Sequence, residues 1–83
     1  MATVLIPSLL AAQAGGVNRF EVDAATLGDA LRALPVRDLL FDERGALRPL
    51  VNPFVDKSLE RDLSTPLRND SEVRVVAAIA GGG

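Results

Sequence analysis

Eighty-three residues, 48% of them hydrophobic and 24% charged, with seven Gly and five Pro, suffice for one domain around one core and exclude a two-domain enzyme. The chain has no Cys and no His, which removes disulfides, structural zinc, and thiol or imidazole chemistry and leaves aliphatic packing to hold a domain of a size that usually needs a staple. Nine Lys plus Arg against eleven Asp plus Glu give a net charge of −2. The cations, all Arg except Lys57, form no stripe, and three Phe without Trp or Tyr provide few stacking platforms, so no nucleic-acid partner is expected.

No apolar stretch approaches the ~18 residues that span a membrane. Leu9 to Ala14 contains an A-x-A-like pattern, but no Lys or Arg precedes Arg19 and Pro7-Ser8 interrupts the run, which argues against a signal peptide. The expectation is a cytoplasmic protein with no membrane partner.

Thr3 to Ile6, β-branched and aliphatic and stopped by Pro7-Ser8, predicts a strand buried on both faces. A segment of mostly small residues, Leu9 to Ala14, leads to a turn at Gly15-Gly16. Arg19 to Asp23 then alternates with period two, which predicts a strand antiparallel to the first with Phe20 and Val22 toward the core. Thr26 followed by Asp29 is a capping pattern, and Leu27, Ala30, Leu31 and Leu34 recur at helical spacing, so a helix of two to three turns is expected, ended by Pro35. Val36 to Leu40 allows one further turn. Asp42-Glu43-Arg44-Gly45 reads as a turn, and Leu47 to Val55 alternates loosely, with Leu50, Val51 and Phe54 as candidate core. Pro53 lacks an N–H, so an edge position or a bulge is expected near Asn52-Pro53. Asp56 to Asn69 is irregular, anchored by Leu59, Leu63 and Leu67. Glu72 to Ile79 is the strongest strand signal of the chain. The sum is an α+β domain: one main helix across a mixed four- to five-stranded sheet, with the first and last strands side by side in its middle.

Carboxylates are plentiful but scattered. Asp42 with Glu43, and Asp70 with Glu72, fall in turns where solvated capping charges are expected, and the hydroxyls of Ser64-Thr65 before Pro66 read as turn donors. No catalytic residue, no metal ligand and no bound cofactor is expected. What stands out is the end, where a strand runs into Ala80-Gly81-Gly82-Gly83. Glycine adds nothing to burial, but residues without side chains let a terminal carboxylate enter a narrow cleft of another protein. A frayed end is the bland alternative. An apolar patch on the sheet face away from the helix, continuous with this tail, is the expected partner surface.

With this order of elements and this tail, the sequence resembles the ubiquitin-like β-grasp sulfur carriers: the small subunit of molybdopterin synthase, the thiazole-synthesis carrier and, most of all, the bacterial cysteine-biosynthesis carrier. The resemblance rests on Val4-Leu5-Ile6-Pro7-Ser8-Leu9-Leu10 before Gly15-Gly16, on Ala25-Thr26-Leu27-Gly28, on Leu47-Arg48-Pro49-Leu50-Val51-Asn52, on Thr65-Pro66-Leu67 before Asp70-Ser71-Glu72-Val73, and on Ala78-Ile79-Ala80-Gly81-Gly82. It implies a β-grasp domain over residues 1–80 and a flexible glycine tail over residues 81–83. The implied partners are an adenylating enzyme of the ubiquitin-activating type that uses ATP, a sulfurtransferase or persulfide donor, and a sulfur-accepting synthase. Ala80, Gly81, Gly82 and Gly83 would be threaded into the partner, with the sulfur-carrying carboxylate on Gly83 as encoded or on Gly82 if trimmed. Ala77 stands where the family often has Pro, Pro53 stands at an ordinary strand position, and Gly83 is one glycine more than the usual pair. A ubiquitin-like protein modifier and an interaction module with an inert tail are the alternatives.

Overall fold

The computed structural model describes residues 1–77; Ala78 and Ile79 of the expected last strand and Ala80, Gly81, Gly82 and Gly83 of the tail lie outside the described residues. Strands β1 (Ala2–Leu5), β2 (Arg19–Val22), β3 (Val51–Val55), β4 (Ser58–Leu59) and β5 (Glu72–Ala77) form one sheet in the order β2-β1-β5-β3-β4. The described residues also form helices α1 (Ser8–Gln13), α2 (Leu27–Arg32) and α3 (Arg37–Leu40). β1 and β5 are parallel neighbours, with Val4 beside Val73, and every other pairing is antiparallel. Val4 and Val73, both fully buried, lie side by side where each strand is flanked by a strand on either edge.

One face of the sheet carries Val4, Val22, Val51, Pro53, Val55, Val73 and Val75, all buried, and belongs to the same core as Leu27, Ala30, Leu31 and Leu34 of the α2 region. Period two in the strands and i, i+3, i+4 spacing in the helix place these residues on facing surfaces. Thr26 caps α2 as expected, its hydroxyl accepting the Asp29 N–H at 3.2 Å. The helix is shorter than expected, ending at Arg32, and α3 supplies the turn anticipated at Val36 to Leu40. Two orphan donors at the start of α2 are taken up by the chain from Leu63 to Thr65: the Gly28 N–H bonds to the Leu63 carbonyl and the Leu27 N–H to that of Thr65, both at 2.9 Å.

Several expectations need correction. The segment from Leu9 is a helix, α1, made of strong helix formers after Pro7; it buries Leu10 and Ala11, and it ends as Gly15 and Gly16 take φ of 71° and 89°. β1 is not buried on both faces, because Thr3 and Leu5 are half-exposed. Val51 is buried as expected, but Leu50 is exposed and Phe54 faces away from the core, because the inward phase of β3 is Val51, Pro53 and Val55. Pro53 sits neither in an edge strand nor in a bulge. In the β3–β5 ladder the Asp56 N–H bonds to the Glu72 carbonyl, so the bonded positions are Asp56, Phe54 and Asn52, and the Pro53 nitrogen points away from β5. It faces the β4 side just where β4 has ended; its carbonyl still accepts the Glu60 N–H at 3.0 Å, and no donor is missed. The irregular segment contains β4, entered through Asp56 and Lys57 at φ of 48° and 75°, and Leu59 is a surface residue rather than an anchor.

Candidate functional site

Among the described residues no helix packs on the face of the sheet turned away from α2, where Val76 and Leu59 are exposed. Its residues are fixed by register: Leu5, Arg74, Phe54 and Leu59 form a row across four strands, and Val76 beside Asn52 forms part of the next. Thr3, Glu72 and Glu21 lie one row the other way. Arg74 is therefore flanked by Leu5, Phe54 and Val76, with Glu72 on its fourth side and Leu59 beyond Phe54. Val76 is 45% exposed and Leu59 50% exposed, exposures that nothing in the core explains. Leu50, at 41%, extends the apolar surface beside Val51, which pairs with Ala77.

This surface has two shallow depressions. One, of about 310 Å³, is lined by Phe54, Lys57, Glu72, Arg74 and Val76; the other, of about 210 Å³, by residues from Leu5 to Pro7 and from Arg74 to Ala77. Small-molecule sites begin at roughly 300 Å³ and are enclosed. Open hollows of this size suit single side chains of a protein partner instead. The second lies against the end of β5 at Ala77, so this face has exposed apolar residues as expected, while its continuity with the tail falls outside the described residues.

Charge on this face is loosely held. Arg74 and Glu72 approach at 3.8 Å and Arg19 and Glu21 at 3.3 Å, with every partner largely solvated, so each pair contributes little and is screened by salt. The Glu21 carboxyl is held below its usual range chiefly by the Thr3 hydroxyl, which donates to Oε2 at 2.7 Å, with Arg19 adding to the effect. Asp62 is likewise lowered by the Ser64 hydroxyl and backbone N–H, so Ser64 is a turn donor as expected. Of the acidic residues expected in turns, Asp42 acts as a capping charge, whereas Glu72 lies in β5. Asp42 Oδ1 accepts the Arg44 and Ala46 N–H groups, and Asp70 lies 3.9 Å from Arg68 on the surface. Among the described residues no cluster of acidic side chains has the arrangement of a metal site, and no helix is long and apolar enough to cross a membrane. The tail residues Ala80, Gly81, Gly82 and Gly83 are outside the described residues, so the structure supplies the platform from which they start.

The signal that finds this surface is a breach of alternation. In β5 the inward residues Val73, Val75 and Ala77 alternate with Glu72, Arg74 and Val76, and Val76 is the apolar residue in a polar position. Leu59 reads as an anchor only while the hairpin through Asp56 and Lys57, which carries it onto the outward face of β4, is not apparent in the sequence.

A mixed five-stranded sheet in this order, with its main helix across one face and a second face open beside the last strand, defines a ubiquitin-like β-grasp protein. Among solved structures the chain is similar to CysO of Mycobacterium tuberculosis, described as an antigen, with 26% identity and a TM-score of 0.84 over 95% of this chain and 100% of that one. It is similar to SAMP1 of Haloferax volcanii, with 27% identity and a TM-score of 0.78 over 98% of both chains. The structure of the Amycolatopsis orientalis BexX/CysO complex matches in fold, with a TM-score of 0.80 at 22% identity over 99% of this chain and 100% of that one. These neighbours are β-grasp sulfur carriers and ubiquitin-like proteins, small carriers and modifiers rather than enzymes, which agrees with the resemblance drawn from the sequence. No family model and no curated protein sequence matches the chain.

Proposed function

We propose that the protein is a sulfur carrier in which residues 1–80 are a recognition body and residues 81–83 an arm that presents a carboxylate to a partner enzyme. The observation that carries this reading is the apolar face around Val76, set beside the end of the central strand that leads into the glycine run. The likeness to CysO and SAMP1 supports it.

The chemistry requires nothing from this chain beyond the carboxylate. An adenylating enzyme of the ubiquitin-activating type joins that carboxylate to the α-phosphate of ATP and releases pyrophosphate. A carboxylate is a poor electrophile and its acyl phosphate a good one. Sulfide then displaces AMP to leave a thiocarboxylate. A persulfide donor gives an acyl disulfide instead, and a second thiol must reduce it. The thiocarboxylate is a soft nucleophile that passes sulfur to an acceptor, with cysteine synthesis the pathway favoured by the resemblance of the sequence to the cysteine-biosynthesis carrier. A chain without His or Cys is suited to such work, because it has no thiol of its own to intercept the acyl adenylate.

A second reading, attachment of the terminal glycine to an amine of a target protein, is favoured by the likeness to SAMP1, a small archaeal modifier protein in the Methanosarcina acetivorans structure. Intact mass of the chain after incubation with ATP, sulfide and a carrier-activating enzyme distinguishes the two. Exchange of one oxygen for sulfur supports the carrier. An amide-linked adduct without that exchange supports the modifier, and an unchanged mass under conditions where a known carrier reacts contradicts both.

A further inference from the structure

The two edges of the sheet differ. β4 is only two residues long and offers little to a pairing strand, whereas β2 is four residues long and contains neither proline nor positive φ. The ladder shows which backbone groups of β2 are free. The Ile6 N–H bonds to the Asn18 carbonyl at 2.9 Å, and Val4 and Ala2 pair with Phe20 and Val22, so the bonded positions are Asn18, Phe20 and Val22. Amides and carbonyls of Arg19 and Glu21 point away from β1. Among the described residues no backbone group outside the ladder bonds to them.

We propose that this edge pairs antiparallel with β2 of a second copy of the chain, about a two-fold axis through Phe20. Bonds form only between outward-facing positions, and that leaves few two-fold registers. Centring on Arg19 sets Arg19 against itself, and centring on Glu21 does the same with carboxylates. Centring on Phe20 places Arg19 of each copy directly opposite Glu21 of the other, so one strand is its own electrostatic complement. Within one copy Glu21 accepts the Thr3 hydroxyl at 2.7 Å and its own Arg19 at 3.3 Å, which keeps the carboxylate on the open face, where Arg19 of the second copy would meet it. The paired strands would carry a rectangle of four alternating charges on one face. On the other, the half-buried Phe20 would meet its counterpart at a non-bonded position, where side chains approach closely.

Strands of four residues bury much less than the roughly 1,000 Å² of a stable interface, so the association belongs to the weak, transient class. β2 is two strands from β5, and the pairing leaves the Val76 face free on both copies, on the same side of a continuous sheet. The proposal is independent of what happens at the glycine tail.

The test uses the ¹⁵N-labelled full chain, followed by amide shifts and by sedimentation from about 20 μM to about 2 mM, the range in which small interfaces populate. The expected result is concentration-dependent shifts at Arg19 and Glu21 and a rising average mass. Arg19→Glu and Glu21→Arg each abolish both, a mixture of the two variants associates, and the double variant, which restores opposite charges in this register alone, self-associates like the original. The spectrum of each variant checks its fold. Shifts and mass that stay constant to the highest concentration overturn the proposal, and so does a double variant that remains monomeric while the original associates.

Discussion

Gly28→Ala probes how firmly the Leu63–Thr65 segment is clamped onto the start of α2. A Cβ built at Gly28 would lie 3.1 Å from both Leu63 Cβ and the Leu63 carbonyl oxygen, and 2.9 Å from Arg32 Nη1. The guanidinium ends a flexible, exposed side chain and swings aside at little cost. Leu63 is different, because its carbonyl accepts the Gly28 N–H and the next bond of the clamp joins Leu27 to Thr65. Helix preference favours Ala over Gly by ~0.8–1.0 kcal/mol. Against it stand overpacking of a fitted contact, ~1–3 kcal/mol, and weakening of two hydrogen bonds each worth ~0.5–1.5 kcal/mol. The opposing terms are larger, so the expected net effect is a loss of about 1 kcal/mol, or a fall in Tm of ~4–8 °C for a domain of this size. Urea denaturation followed by far-ultraviolet circular dichroism measures it. A midpoint raised by the substitution would refute the reasoning, since it would show that the segment yields without cost.

Leu31 is fully buried, so Leu31→Ala is expected to cost ~2–5 kcal/mol, and an unchanged urea midpoint would contradict the place given to α2. Val76→Asp alters an exposed strand position; stability should change by no more than about 0.5 kcal/mol, while the KM of the carrier for its activating enzyme rises roughly tenfold, as expected for a central contact residue. Thr3→Val removes the principal cause of the lowered Glu21 pKa, so its carboxyl titration, followed by ¹³C NMR, should move up toward the ordinary range. The sign for stability follows: a lowered native pKa gives stabilisation that is present above the ordinary glutamate value near ~4.3 and is lost as pH falls through the native value. Thr3→Val should flatten that acid limb.

Much of the fold is legible in the sequence because most signals agree. Thr26 with Asp29, the Leu27-Ala30-Leu31-Leu34 stripe and the alternation from Glu72 each combine local preference with burial: the cap forms, all four stripe residues are buried although α2 ends at Arg32, and the strand runs to Ala77, the last described residue. Failures lie where one signal hid another. Pro53 looked incompatible with an inner strand because its missing N–H was counted against the whole ladder, whereas only the side facing β4 loses a donor, and β4 has ended there. Leu9 to Ala14 is too short for helical periodicity to show, so its helix-forming composition was outweighed by small residues. Loose alternation points Leu50 and Phe54 to the core and apolarity makes Leu59 an anchor, yet Leu50 and Leu59 are exposed and Phe54 lies half-buried on the outward face. The open apolar face was anticipated from the tail, but its members emerge only from strand register, which depends on the hairpin through Asp56-Lys57 and on the parallel pairing of strands distant in sequence.

The central claim is that a glycine carboxylate at the end of this chain is the reacting group. It is tested most directly by ATP–pyrophosphate exchange with a carrier-activating enzyme that accepts the unmodified chain, comparing that chain with one amidated at its C-terminus and with one lacking Gly83. Amidation removes the carboxylate and leaves every residue in place, so the account predicts that exchange disappears while binding through the Val76 face persists. Activity of the shortened chain reports whether Gly82 can carry the group. Undiminished exchange by the amidated chain, with the amide confirmed intact by mass, would contradict the account.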